Sequence, residues 1–128
     1  MKNKLLTLSV FVILILSLTA CSAVSGLKTA SDTANAFMQA LKDQDNETSW
    51  NMLAQNIKDE LGDTSAWADF TAPRGFESWN FTSTNITDGV AQVDGEAKIG
   101  SETYTVTVIL DPNGDGWLVS GLNFTFKE

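Results

Sequence analysis

Histidine is absent from this 128-residue chain, and cysteine and tyrosine occur once each. Without histidine there is no histidine-based hydrolytic triad, no histidine-ligated zinc and no side chain that ordinarily serves as a general base near neutral pH. One cysteine closes no intrachain disulfide framework and builds no thiolate metal cage. Basic residues are scarce, 8 Lys and Arg against 16 Asp and Glu, for a formal net charge of −8. That balance disfavours nucleic acid and anionic lipid headgroups as partners and favours solubility or a basic partner. There is no internal repeat and no low-complexity segment. The longest apolar run, Leu5 to Ala20, is 16 residues interrupted by Thr7, Ser9, Ser17 and Thr19, whereas a spanning helix needs about 20 mostly apolar residues.

That run is nevertheless informative. It follows a basic start, Met1-Lys2-Asn3-Lys4, and ends in small residues at Leu18-Thr19-Ala20-Cys21. This is the layout of a secretory signal peptide with its cleavage site. The lone cysteine stands directly after the cut, and the four residues resemble the bacterial lipobox. The resemblance implies that the Cys21 thiol receives a diacylglyceryl group and becomes the mature N-terminus. A thiol is nucleophilic enough to be alkylated there, and two acyl chains anchor stably where one binds marginally. The expected location is a cell membrane or outer membrane, lipid-anchored and facing the periplasm or the cell exterior. Ser22 is not the aspartate that marks inner-membrane retention in many Gram-negative bacteria. Lys2 and Lys4 leave with residues 1–20, so six basic residues face sixteen acidic ones in the mature chain.

Residues 21–28 read as a lipidated tether and 29–128 as one small domain. Ala30, Ala34, Phe37, Met38 and Leu41 form one apolar stripe at helical spacing, with Thr29 or Ser31 as caps and Asp32 suited to the first turn. Trp50, Leu53, Ala54, Ile57 and Leu61 mark a second helix, capped by Asp45 or Asn46 and stopped by Gly62. Asp63 to Phe70 reads as a short third helix with Trp67 and Phe70 facing inward, and Thr71 to Gly75 ends the helical region. From Phe76 the period becomes two. Trp79, Phe81 and Ile86 lie in a first strand and Asp88-Gly89 forms a hairpin. Ala91, Val93, Ala97 and Ile99 belong to a second strand, Gly100-Ser101 turns, and Tyr104, Val106, Val108 and Leu110 lie in a third. Asp111 to Gly116 reads as a loop. Trp117 and Val119 begin the last strand, and Leu122, Phe124 and Phe126 continue it on the opposite parity. A β-bulge near Ser120-Gly121 would bring both groups to one face.

The predicted class is therefore α+β, with two to three N-terminal helices packed on a curved four-stranded antiparallel sheet. The helix Ala34 to Leu41, the second helix with Trp50 and Leu53, and the closing Asp115-Gly116-Trp117-Leu118-Val119 resemble the nuclear transport factor 2-like, or cystatin-like, superfamily. The resemblance covers about residues 28–128 and implies a cone-shaped fold that often encloses a pocket, and a homodimer through the sheet face.

Candidate chemistry is thin. Asp111-Pro112-Asn113-Gly114-Asp115-Gly116 begins like a calcium loop, but its twelfth position is Leu122 where a bidentate Glu is needed, so the segment reads as a turn and no metal is assigned. Phe37, Met38, Trp50, Tyr104 and Trp117 are the candidate pocket lining. Tyr104 is the only tyrosine, with Asp69 and Asp94 as candidate partners for acid–base work in an apolar pocket. The ketosteroid isomerase pattern of a tyrosine near the first helix and an aspartate pair is not met, since that helix carries Phe37 and Met38. The expectation is a non-catalytic, cofactor-free domain that binds an envelope protein partner or a small apolar ligand. A small pocket enzyme of isomerase or dehydratase type is the alternative. Cys21 is the one site residue with an assigned role, lipidation.

Overall fold

A computed structural model describes residues 26–128, so the signal segment and Cys21 lie outside the described residues. A helix, α1, runs through residues 26–42. It is followed by α2 (Asn46–Asn51), α3 (Gln55–Leu61), α4 (Thr64–Thr71) and a 3₁₀ turn at Ala72–Arg74. Four strands then form an antiparallel meander in the order β1-β2-β3-β4: β1 (Ser78–Thr87), β2 (Val90–Ile99), β3 (Glu102–Asn113) and β4 (Gly116–Lys127). The α+β class and the four-stranded sheet agree with the sequence pattern. No helix among the described residues is long and apolar enough to cross a membrane.

α1 buries the stripe its periodicity announces. Ala30, Ala34, Phe37, Met38 and Leu41 are fully buried in one core cluster with Ala91, Val93, Ala97, Val106, Val108, Leu110 and Val119 of the sheet. Alanines on the helix and on the sheet leave room for close approach, and Phe37 and Met38 fill the remaining volume. The helix is already formed at residue 26. Thr29 and Ser31 therefore sit inside it instead of capping it, and the last three residues assigned to the tether are helical.

Two indoles fasten α1 to the sheet. Trp117 Nε1 of β4 donates to Thr29 Oγ1 at 3.0 Å, and Trp79 Nε1 of β1 donates to Asn35 Oδ1 at 2.9 Å. At 3.6 residues per turn, Thr29 and Asn35 fall on opposite flanks of the apolar stripe. Each outer strand thus holds one flank of the helix, and each indole N–H finds its acceptor.

The second helix of the sequence reading is two helices. Residues 52–54 leave the helical path and pair with β4: Val119 N donates to Met52 O at 2.8 Å, and Ala54 N to Val119 O at 2.7 Å. A backbone that gives these groups to a strand has none left for helix continuation. The expected ends hold. Asp45 caps α2, accepting from Thr48 N at 3.2 Å and Thr48 Oγ1 at 2.7 Å. Gly62 ends α3 at φ 90°, a conformation that favours glycine. Asp63 caps α4, accepting from Ala66 N at 3.0 Å.

In the sheet, Asp88 and Gly89 both have positive φ, 52° and 79°, as a two-residue hairpin of primed type requires. Ile109 pairs with Gly121 and Leu110 with Val119, so Ser120 is the extra residue of a bulge where the parity change predicts one. A second bulge lies in β1, where Phe81 pairs with Gly95 and Ser83 with Asp94, leaving Thr82 extra. The sequence carried its signal too, in the shift from Trp79 and Phe81 to Ile86 and in a glycine inside the facing strand. The segment Asp111–Gly116 is not a loop. β3 continues through Asn113 and pairs with Gly116, so the turn is only Gly114-Asp115. Pro112 is tolerated because β2 has already ended opposite Leu110, leaving that side of β3 without a partner strand.

Candidate functional site

α3 and α4 do not seal against β4. Between them lies a cleft of about 370 Å³ lined by Asn56, Ile57, Glu60 and Leu61 of α3, Trp67 and Phe70 of α4, and Ser120, Gly121 and Leu122 of β4. Each wall follows from local sequence. On α3, Ile57 and Leu61 are four residues apart and share a face, with Asn56 and Glu60 beside them. On α4, Trp67 and Phe70 are three apart, and their rings stack at 5.3 Å between centroids. On β4, the Ser120 bulge turns Leu122 to the inner face and leaves the Ser120 carbonyl pointing at α3, where Asn56 Nδ2 donates to it at 3.0 Å.

The floor is rigid. Trp67 is only 1% exposed, and its Nε1 donates to Ser49 Oγ at 2.8 Å. Ser49 is fully buried, and its hydroxyl lies 3.1 Å from Asp45 O and 3.3 Å from Asn46 O, either of which accepts its proton. Thr71, the other buried polar side chain among the described residues, donates to Asn46 Oδ1 at 2.7 Å. Phe37 stands 6.0 Å from Trp67, tying the floor to α1. Lys58 is turned away from the cleft, with Nζ 5.6 Å from the Trp50 ring. The result is an apolar trough with amide and carboxylate groups on its rim, the composition that holds an apolar or amphipathic group.

A smaller cleft of about 120 Å³ lies nearby, lined by Pro73, Arg74, Phe76, Ile99, Tyr104 and Phe124. Arg74 is occupied on its other side, where Nη1 donates to Phe70 O at 2.6 Å and the guanidinium lies 3.9 Å from the Phe70 ring. At that volume the cleft is below the usual range for a small-molecule site.

The candidate pocket residues do not share one cavity. Phe37 and Met38 are core, with no exposed surface. Trp50 is half-buried under Lys58, and Trp117 is half-buried with its indole on Thr29. Tyr104 lines the smaller cleft, and its hydroxyl donates to Glu102 Oε2 at 2.9 Å at the protein surface. That bond to a carboxylate, with some loss of hydration, raises the Tyr104 pKa above its ordinary value. Neither candidate partner reaches it. Asp94 faces the other side of the sheet, where it accepts from Thr107 Oγ1 at 2.7 Å and from Gln92 Nε2, and Asp69 is exposed on α4. The partner is Glu102, two residues away on the same strand face, which period two alone could have indicated.

Elsewhere the charged groups are superficial. Glu96 pairs with Lys127 on the outer face of the sheet, and this hydrogen-bonded ion pair holds its carboxyl below the usual range. The two hydrogen bonds from Thr48 do the same for Asp45. No group of three His, Cys, Asp or Glu side chains among the described residues is placed to hold a metal ion. No family model matches the chain, and no curated protein matches it.

Proposed function

We propose that this chain is a bacterial envelope lipoprotein, anchored through a diacylglyceryl group on Cys21, whose domain is a non-catalytic binding module. The anchor rests on the Leu18-Thr19-Ala20-Cys21 sequence behind a short apolar signal. The binding role rests on one observation: the cleft between α3, α4 and β4 has an aromatic and aliphatic floor, and its only ionisable lining group is Glu60 at the rim. Acid–base catalysis needs a titratable group positioned at the reacting atom and tuned by its surroundings. Among the described residues the two side chains that are polar and buried, Ser49 and Thr71, are both engaged in structural hydrogen bonds. The ligand class that fits is a small apolar or amphipathic molecule. The arrangement of one long helix on a four-stranded antiparallel meander supports reading the fold as cystatin-like, of the nuclear transport factor 2-like kind.

Two measurements test this. Mass spectrometry of the mature protein from its host should find Cys21 as a lipidated N-terminus, and Cys21→Ser should release the protein from the membrane. An unmodified Cys21 overturns the anchor. Phenylnaphthylamine, a neutral apolar dye, should bind and quench Trp67, and Leu61→Trp should fill the cleft and abolish that binding while circular dichroism stays unchanged. Equal dye binding by the variant overturns the cleft as the site.

A further inference from the structure

The anchor reading fixes more than location, because Gly26, five residues after Cys21, has a definite place on the fold. Residue 26 lies at the end of the molecule that carries the β1–β2 and β3–β4 turns. An ideal Cβ on Gly26 would lie 3.5 Å from Ile86 Cδ1 near the end of β1, and Thr29 accepts from Trp117 at the start of β4. The pairings Thr87 with Val90 and Asn113 with Gly116 put both turns at that end, whereas Ile99 pairs with Glu102 at the other. Cys21 is five residues before Gly26. Whatever path those residues take, they span at most about 18 Å.

The same end carries three of the four exposed large apolar side chains of the described residues, and Phe126, paired with Tyr104, stands at the other. Among the described residues the exposed large apolar side chains are Leu27 at 39%, Ile86 at 37%, Val90 at 37% and Phe126 at 53%. The first three stand at the first described turn of α1 and at the β1–β2 turn. We propose that this end faces the bilayer that holds the anchor, meeting it end-on through the β1–β2 hairpin, with Ile86 and Val90 on opposite faces of the sheet and Leu27 beside Ile86 at the level of the headgroups. The inference builds on the lipoprotein reading and adds an orientation to it. The occupant is the bilayer because a tether of at most about 18 Å keeps this end close to it. Asp88 and Asp115 stand in the two turns, and Lys28 is paired with Asp32 at 3.2 Å. Their carboxylates stay in the headgroup layer, so the contact is shallow, and the surface that suits them carries no net negative charge.

The test uses the lipidated full-length protein in phosphatidylcholine vesicles with brominated chains. Alkylation of Cys21 leaves no free thiol, so one introduced cysteine can be labelled with an environment-sensitive fluorophore. Thr87→Cys reports the proposed face and Ser101→Cys the opposite end; both positions are exposed. Flotation with the vesicles, read first, reports the anchor alone. The expected result is flotation of both proteins, with blue-shifted and quenched emission at position 87 and neither at 101. Adding Leu27→Ser, Ile86→Thr and Val90→Thr should preserve flotation and abolish the quenching. Flotation with equal signals at 87 and 101, or quenching that survives the triple substitution, overturns the orientation and leaves the anchor standing. Failure to float, with unmodified Cys21, overturns the anchor and the orientation with it.

Discussion

The Trp67–Ser49 hydrogen bond should prove to be a coupled pair whose two halves cost more apart than together. The indole N–H and the serine hydroxyl meet at 2.8 Å in the interior, on residues 1% and 0% exposed. Ser49→Ala leaves a buried indole donor without an acceptor, a loss of about 1–3 kcal/mol. Trp67→Phe removes the donor and part of the ring, but the Ser49 hydroxyl keeps its bonds toward Asp45 O and Asn46 O. The cost there is packing plus one net hydrogen bond, about 1–2 kcal/mol. In the double variant neither group is orphaned. Its loss should fall below the sum of the single losses by about 1 kcal/mol, the size of coupling seen between contacting groups. The assay is urea unfolding followed by far-ultraviolet circular dichroism, with unchanged slopes confirming that stability alone has shifted. Strict additivity, within about 0.3–0.5 kcal/mol, would refute the claim that this bond holds α4 and the cleft floor onto α2.

Further outcomes follow from other contacts. Gly95→Ala should cost about 2 kcal/mol or more in urea unfolding, because its Cβ would sit 2.1 Å from Asn80 O and 2.7 Å from Phe81 Cα at the β1 bulge, where backbone and not a side-chain tip must yield; a loss under about 0.5 kcal/mol would mean the bulge moves freely. Tyr104 is the only tyrosine, so phenolate absorbance titrates it alone. Its midpoint should lie above about 10 and fall back on Glu102→Ala. A raised folded-state value means the bond stabilises the fold below the ordinary tyrosine pKa and is lost as pH rises through the folded value, so an unmoved midpoint in the variant sinks this assignment. Asp45 and Glu96 have depressed values, so their contributions are present above the ordinary carboxylate range and vanish as pH falls through the folded values. Asp45→Asn with Glu96→Gln should therefore flatten the acid limb of stability against pH, and an equally steep limb would assign acid unfolding to other carboxylates.

Much of the fold was legible because the signals were periodic and local. The α1 stripe, the Asp45 cap, the Gly62 stop and the Asp88-Gly89 turn each follow from one residue type in one backbone role. The Ser120 bulge was legible for the same reason: a change of parity within one strand has few causes. The bulge at Thr82 gave an identical cue in Phe81 and Ile86, but Thr and Asn residues between them blurred which face was apolar. The cleft was not legible. Ile57, Leu61, Trp67, Phe70 and Leu122 are all apolar at inward positions, and a sequence pattern reports which way a residue points, not whether the surfaces it points at meet. Phe37 and Met38 show the converse, two large side chains that look like a lining and are enclosed on every side.

The broken second helix and the Ser120 bulge are two halves of one arrangement. Leu53 keeps the inward direction that a continuous helix would give it, so the apolar pattern Trp50, Leu53, Ile57, Leu61 survives even though the helix is interrupted at residues 52–54. The difference lies in the backbone. Met52 O and Ala54 N are bonded to Val119, and a residue later Asn56 reaches the Ser120 carbonyl that the bulge frees. The outer edge of β4 is thereby covered over the stretch where the bulge makes it irregular, and an uncovered edge with free amides invites pairing with another chain. Pinning the start of α3 at Val119 while Asp63 and Trp67 fix α4 from the other side holds the two helices apart over Leu122. The cleft is what remains between those two attachments, so its opening depends on backbone bonds formed far from its floor. A substitution that lets 46–61 become one helix should close it: Leu53 would no longer bridge to Val119, and the freed α3 could settle onto Phe70 and Leu122.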